Sequence, residues 1–125
     1  MYHGIIIDQE FTEPSFPETF KAFAWKQDGN WKIYGIEVDD SNLENKISKI
    51  QSAMRTNQPW YVHLYNDEDL IVIFKDRIFN VKPHSSTWGP IIEYGQKLDI
   101  PKEQLDFWPN RFQDEIHYFD KEDFR

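Results

Sequence analysis

The chemistry open to this chain rests first on its four histidines, His3, His63, His84 and His117. An imidazole titrates near ~6.5, so each could serve as acid, base or metal ligand at neutral pH. His63 has the most suggestive surroundings. Tyr61 and Tyr65 flank it at alternate positions, which in a β-strand puts all three side chains on one face. There the phenols could orient a substrate while His63 moves a proton, which makes His63 the best catalytic candidate. Trp25 and Arg111 complete the predicted binding set. Arg111, between Trp108 and Phe112, could stack on a ring or grip a carboxylate. Pairing with Glu115 one helical turn on is the simpler use.

Other groupings carry less. His84 precedes Ser85, Ser86 and Thr87 at a helix start, where hydroxyls and free amides could hold an anion or simply cap the helix. Asp114 and His117 have the three-residue spacing of carboxylate-bridged metal sites, yet Glu44 and Glu93 are the only other central helical carboxylates. Asp8, Glu10 and Glu13, with His3, could surround a hard cation, although their spacing is not diagnostic. No HExxH or GxSxG occurs, and the glycines are isolated rather than gathered in a phosphate loop. Without cysteine there is no disulfide, thiol nucleophile or thiolate metal site. No metal and no cofactor are expected.

Something must position these residues, and 125 residues suffice for a single domain with its own core, residues 1–125. A mean hydropathy of -0.74 alone would suggest disorder. The 17% aromatic content argues for a packed globule instead, because disordered chains lack such bulk. The net charge of -8, with no basic patch in either half, opposes binding to nucleic acid through its phosphates. No apolar stretch approaches a membrane span and the start lacks a basic leader, so a soluble cytoplasmic protein is expected.

Alternating and helical periodicities divide the chain. His3–Ile7 reads as a strand, and residues 9–19, with Pro14 and Pro17, as an irregular connection. Phe20–Gln27 and Trp31–Val38 form a hairpin around Gly29. Ser41 and Glu44 have capping-box spacing before a helix whose stripe is Leu43, Ile47, Ile50 and Met54. Trp60–Tyr65, Leu70–Lys75 and Arg77–Val81 read as three more strands. A helix to Leu98 follows, with Pro90 in its first turn and Gly95 allowing close approach. Lys102–Phe107 and Pro109–Phe119 complete a helical C-terminal segment, the latter with a Phe112, Ile116, Phe119 stripe. Residues 119–125 are expected to fray. The predicted fold is α+β: about six mostly antiparallel strands in the order β-ββ-α-ββ-β-α, with two main helices on one face. Both halves read as three strands and a helix, an outline of duplication without matching residues.

Strand parity adds a constraint. Leu70, Val72 and Phe74 alternate with Ile71 and Ile73, and Trp60, Val62 and Leu64 alternate with Tyr61, His63 and Tyr65, so neither sheet face suits water. Phe23 and Trp25 are assigned together by the same parity, opposite Ala22 and Ala24. Burying one such side chain fully stabilises by ~1.5–3 kcal/mol, against a typical total stability of ~5–15 kcal/mol. The second face therefore needs a cover. The 101–119 segment is the favoured one, since its own aromatics need burial; a second copy in a homodimer or a ligand are the alternatives.

Three functions follow. The leading one is a non-catalytic binding or interaction module that uses its aromatic sheet face, with a protein partner. The second is a small-molecule enzyme with a pocket around Tyr61, His63 and Tyr65. The third, an acidic mimic of nucleic acid, is permitted by the charge without being suggested by it.

Overall fold

The computed structural model describes all 125 residues, Met1–Arg125. Six strands form one antiparallel sheet: β1 (Tyr2–Ile7), β2 (Lys21–Asp28), β3 (Trp31–Val38), β4 (Tyr61–Tyr65), β5 (Leu70–Phe74) and β6 (Ile78–Val81). Their spatial order is β2-β3-β1-β4-β5-β6. Three α-helices accompany them, α1 (Leu43–Ala53), α2 (Gly89–Lys97) and the short α3 (Glu115–Tyr118). The α+β class is as expected, and no helix is long and apolar enough to cross a membrane.

Because β3 and β4 both run antiparallel to the β1 strand between them, β3-α1-β4 is a split crossover that carries α1 across one sheet face. The second half is a plain meander from β4 to β6. The halves therefore differ in topology, and the outline of duplication ends there. Gly29, at φ 60°, supplies the left-handed conformation that the two-residue β2–β3 turn needs.

The two core clusters lie on opposite faces. One gathers Ile6, Ile36, Val62, Leu64, Ile71 and Ile73 beneath Ile50 and Met54 of the α1 end, with Phe11 and Phe20 from the connection after β1. The other gathers Ile5, Ile33, Tyr65, Val72 and Phe74 beneath Ile91 of α2 and Leu105, Phe107 and Phe119 of the C-terminal segment. The expectation of two main helices on one face is corrected: each face takes one helix, because both carry apolar side chains. A strap of residues 99–125 completes the cover on the α2 face, so no second copy is needed to shelter it. Gly95 admits that strap closely, since a Cβ there would lie 2.8 Å from the Leu105 side chain.

Several local expectations are corrected. The Ser41–Glu44 capping box does not form; a 3-10 turn, Asp40–Asn42, leads into α1 without a side-chain cap. Lys102–Phe107 is helical only over Lys102–Gln104. Pro109–Phe119 shrinks to a 3-10 turn, Phe112–Asp114, and α3, and Ile116 stands 71% exposed instead of buried. The final residues, expected to fray, are tied to the β2 edge by an Ala24–Phe124 bridge and an Arg125 amide bond to Phe23 O at 2.9 Å.

Candidate functional site

The five candidate positions separate once placed. In β2 the pairing with β3 runs Lys21–Glu37, Ala22–Ile36 and then Ala24–Gly35, so Phe23 is the extra residue of a bulge. Such an insertion reverses the side-chain parity after it. Phe23 packs on the strap face and Trp25 on the α1 face, so Trp25 is removed from the predicted set. It holds Lys32 Nζ at 4.2 Å and the Arg125 guanidinium at 4.1 Å over its ring.

Tyr65 is fully buried under the strap. Its hydroxyl donates to Glu115 Oε2 at 2.6 Å, and His3 Nδ1 donates to the same oxygen at 2.6 Å. Burial and then the Glu115 carboxylate push the Tyr65 phenol above its ordinary range. Glu115 therefore points inward and does not pair with Arg111. The Arg111 guanidinium instead meets Asp114, Nη2 to Oδ1 at 3.2 Å, and the amides of Asn110 and Arg111 also donate to Asp114 Oδ2. Asp114 is thus occupied and His117 is exposed, so the three-residue spacing of Asp114 and His117 does not make a metal pair. Thr87 Oγ1 donates toward the Lys82 and His84 carbonyls, which makes that hydroxyl a loop fastener ahead of α2. The sheet face carrying Tyr65, proposed as a docking face, is closed by the chain itself.

Tyr61 and His63 remain, and both reach a cavity of about 390 Å³. Its origin lies in the sheet. The β1–β4 ladder pairs His3–Tyr65, Gly4–Leu64 and Ile5–His63 and stops there, although β1 continues to Ile7 and β4 begins at Tyr61. Ile7 and Tyr61 line opposite sides of the resulting gap. The strap roofs it with Ile100, Gln104, Asp106 and Trp108, while Trp31 and Trp60 stand at the strand ends. Phe107, at φ 48°, lets the strap turn so that its own ring is fully buried while the neighbouring Asp106 and Trp108 face the cavity.

His63 is only 4% exposed, and its Nε2–H donates to Pro109 O at 2.6 Å. Burial lowers its pKa to about 4, the Pro109 hydrogen bond opposing only in part. The ring is therefore neutral at physiological pH, a positioned wall and a poor base. The Tyr61 hydroxyl donates to Gln104 O at 2.5 Å, linking wall to roof. Its phenol is raised above the usual range by burial, then by the charges of Asp106 and Glu10.

Glu10 is the residue that sequence patterning did not set apart from Asp8 and Glu13. Of the acidic group after β1, it alone is buried, at 2% exposure. Its Oε1 accepts the Ile7 amide at 2.8 Å, beyond the last β1–β4 pair. The backbone is anchored to the end of α1 by Arg55 N to Glu10 O and Arg55 Nε to Gln9 O, both at 2.9 Å. Burial raises the carboxyl well above its ordinary range, the Ile7 amide opposing and Asp8 adding to it. Its Oε2 accepts no hydrogen bond from the protein, yet no fully buried side-chain polar atom lacks a partner. That oxygen therefore keeps some accessible surface, and Glu10 is among the residues lining the cavity. Asp8 itself accepts the Lys32 amide at 3.1 Å, and no group of three His, Asp or Glu side chains converges, so Asp8, Glu10, Glu13 and His3 form no hard-cation cluster.

No protein-family model, curated protein or solved structure matches this chain. The site's meaning therefore has to come from its own chemistry.

Proposed function

We propose that this protein is a non-catalytic binding module whose occupant is a small molecule held in the cavity between β1, β4 and the strap. The observation that carries this reading is the splay of two core strands around an anchored carboxyl, roofed by the chain's own C-terminal segment. A sheet that merely needed closing would continue its ladder, since unpaired strand backbone and an empty apolar gap both cost stability. The volume lies within the ~300–1,000 Å³ of small-molecule sites, and mostly apolar walls with a few placed polar groups are their usual lining. Binding is favoured over catalysis because His63 has given its Nε2–H to Pro109 and does not take up a proton near neutrality.

The reading is tested by thermal-shift screening of a chemically diverse metabolite panel, because a native-state ligand raises the melting temperature. At least one compound class should stabilise the protein, and Ile7→Phe, which fills the gap, should abolish its effect. A panel in which no compound shifts the folded protein, or shifts that survive Ile7→Phe unchanged, would overturn the proposal.

A further inference from the structure

We infer that the cavity is built for a small organic cation with a methylated ammonium head, enclosed by Trp31, Trp60, Trp108 and Tyr61 and balanced by Glu10 and Asp106. The inference rests on the binding role proposed above and adds the chemical class of the occupant.

Three features of the lining converge on it. Every charged residue that lines the cavity, Glu10, Glu103 and Asp106, is acidic, and neither lysine nor arginine is present. An anionic occupant would meet no opposite charge among the lining residues. The second feature is the aromatic wall. Trp31 and Trp60 meet with centroids 5.5 Å apart and planes at 71°, which makes two adjoining sides of a box. Trp31 and Trp108 are 41% and 39% exposed, so both have ring surface available at the mouth. Aromatic faces attract cations through their quadrupole, most strongly for tryptophan, and cages of this kind suit quaternary ammonium groups. The third is the free oxygen of Glu10, on a carboxyl rooted at the cavity wall by the Ile7 amide; burial favours its neutral form in the empty site, and a cation alongside favours the charged form that would balance it.

The same features select among cations. A metal ion takes six or more oxygen ligands when hard, and no three carboxylate or imidazole side chains converge here. A primary ammonium is strongly hydrated and needs three acceptors. A methylated head needs none, and exchanges its weak hydration for ring faces. The protein already uses this interaction at the cavity wall, where Lys26 Nζ lies 4.0 Å from the ring centroid of Tyr118, itself a lining residue.

Calorimetric titration with choline, tetramethylammonium and 3,3-dimethylbutan-1-ol, the neutral carbon isostere of choline, tests the inference. Both cations should bind at millimolar concentration or below, and the alcohol at least about tenfold more weakly than choline. Glu10→Gln retains an acceptor for the Ile7 amide, and Trp31→Leu changes an exposed side chain, so both should melt cooperatively while losing choline affinity about fivefold or more. Equal or tighter binding of the alcohol would overturn the cation assignment, as would failure of both cations. In either case a neutral compound whose effect disappears in Ile7→Phe would leave the binding role standing. Absence of any cavity-dependent compound would remove both.

Discussion

The Tyr65 hydroxyl and Glu115 Oε2 lie 2.6 Å apart, joining the centre of the sheet to the strap across 50 positions of sequence. His3 Nδ1 reaches the same oxygen, so strand β1, strand β4 and helix α3 share one buried acceptor. Tyr65→Phe removes one of its two donors without altering the ring. The expected cost is ~1–3 kcal/mol, or several degrees of melting temperature. Differential scanning calorimetry checks it, and an unchanged transition would mean the strap is not held there.

Gly35 and Phe23 give a sharper steric test. A Cβ on Gly35 would stand 2.5 Å from the Phe23 Cζ, with two further ring carbons within 2.9 Å. Gly35→Ala must push the Phe23 ring off the bulge and is expected to cost ~1–3 kcal/mol in urea unfolding. Gly29→Ala, at φ 60° with no atom within 4 Å of its Cβ, carries backbone strain alone, of the order of 1 kcal/mol.

His63 sets an acid limit. Its folded pKa is about 4, against an ordinary 6.5 when unfolded. Between those values the unfolded imidazole takes up a proton that the folded one refuses, so the native state loses stability as pH falls through the window. The full effect approaches ~3 kcal/mol. His63→Gln keeps an N–H for Pro109 and removes the titration. The wild-type protein should therefore lose more stability than His63→Gln between pH 6.5 and 4, measured by urea unfolding at each pH.

Glu10 acts with the opposite sign. Its folded pKa is raised, so above its unfolded value of 4.5 the unfolded state releases a proton that the folded state retains. Wild-type stability thus falls as pH rises through that range. Asp8 adds to the effect, the Ile7 amide opposes it, and Tyr61, His63, Asp106 and Tyr118 share the same cavity. Glu10→Gln should melt higher than wild type, by an interval that widens as pH rises above 4.5. An interval that narrows would show that the carboxyl is not strained by burial.

Much of this architecture was readable from residue patterns. All six strands fall within a residue or so of where alternation put them, and Leu43, Ile47, Ile50 and Met54 do form the apolar stripe of α1. The two-sided apolar pattern of β5 and the aromatics after residue 100 correctly required the strap as a cover. What escaped is non-local. The Phe23 bulge carries no signature beyond an extra residue, yet it sends Trp25 to the wrong face for the predicted set. The inward turn of Glu115 depends on His3 and Tyr65, which lie 112 and 50 residues before it in the chain. Glu10 looked like its acidic neighbours, because burial of a carboxyl beside a splayed ladder is decided by pairing register. Trp31, Trp60, Trp108 and Asp106 meet only once β3, β4 and the strap converge.

The most direct measurement uses the five tryptophans as reporters. Trp31, Trp60 and Trp108 line the cavity, whereas Trp25 lies on the α1 face and the Trp88 indole N–H is bonded to Lys82 O at 2.8 Å. In nitrogen-15 spectra titrated with choline, or with whichever panel compound stabilises the fold most, the indole resonances of Trp31, Trp60 and Trp108 should move together while those of Trp25 and Trp88 stay fixed. Movement confined to Trp25 or Trp88, or no movement of the cavity trio by any stabilising compound, would contradict the account.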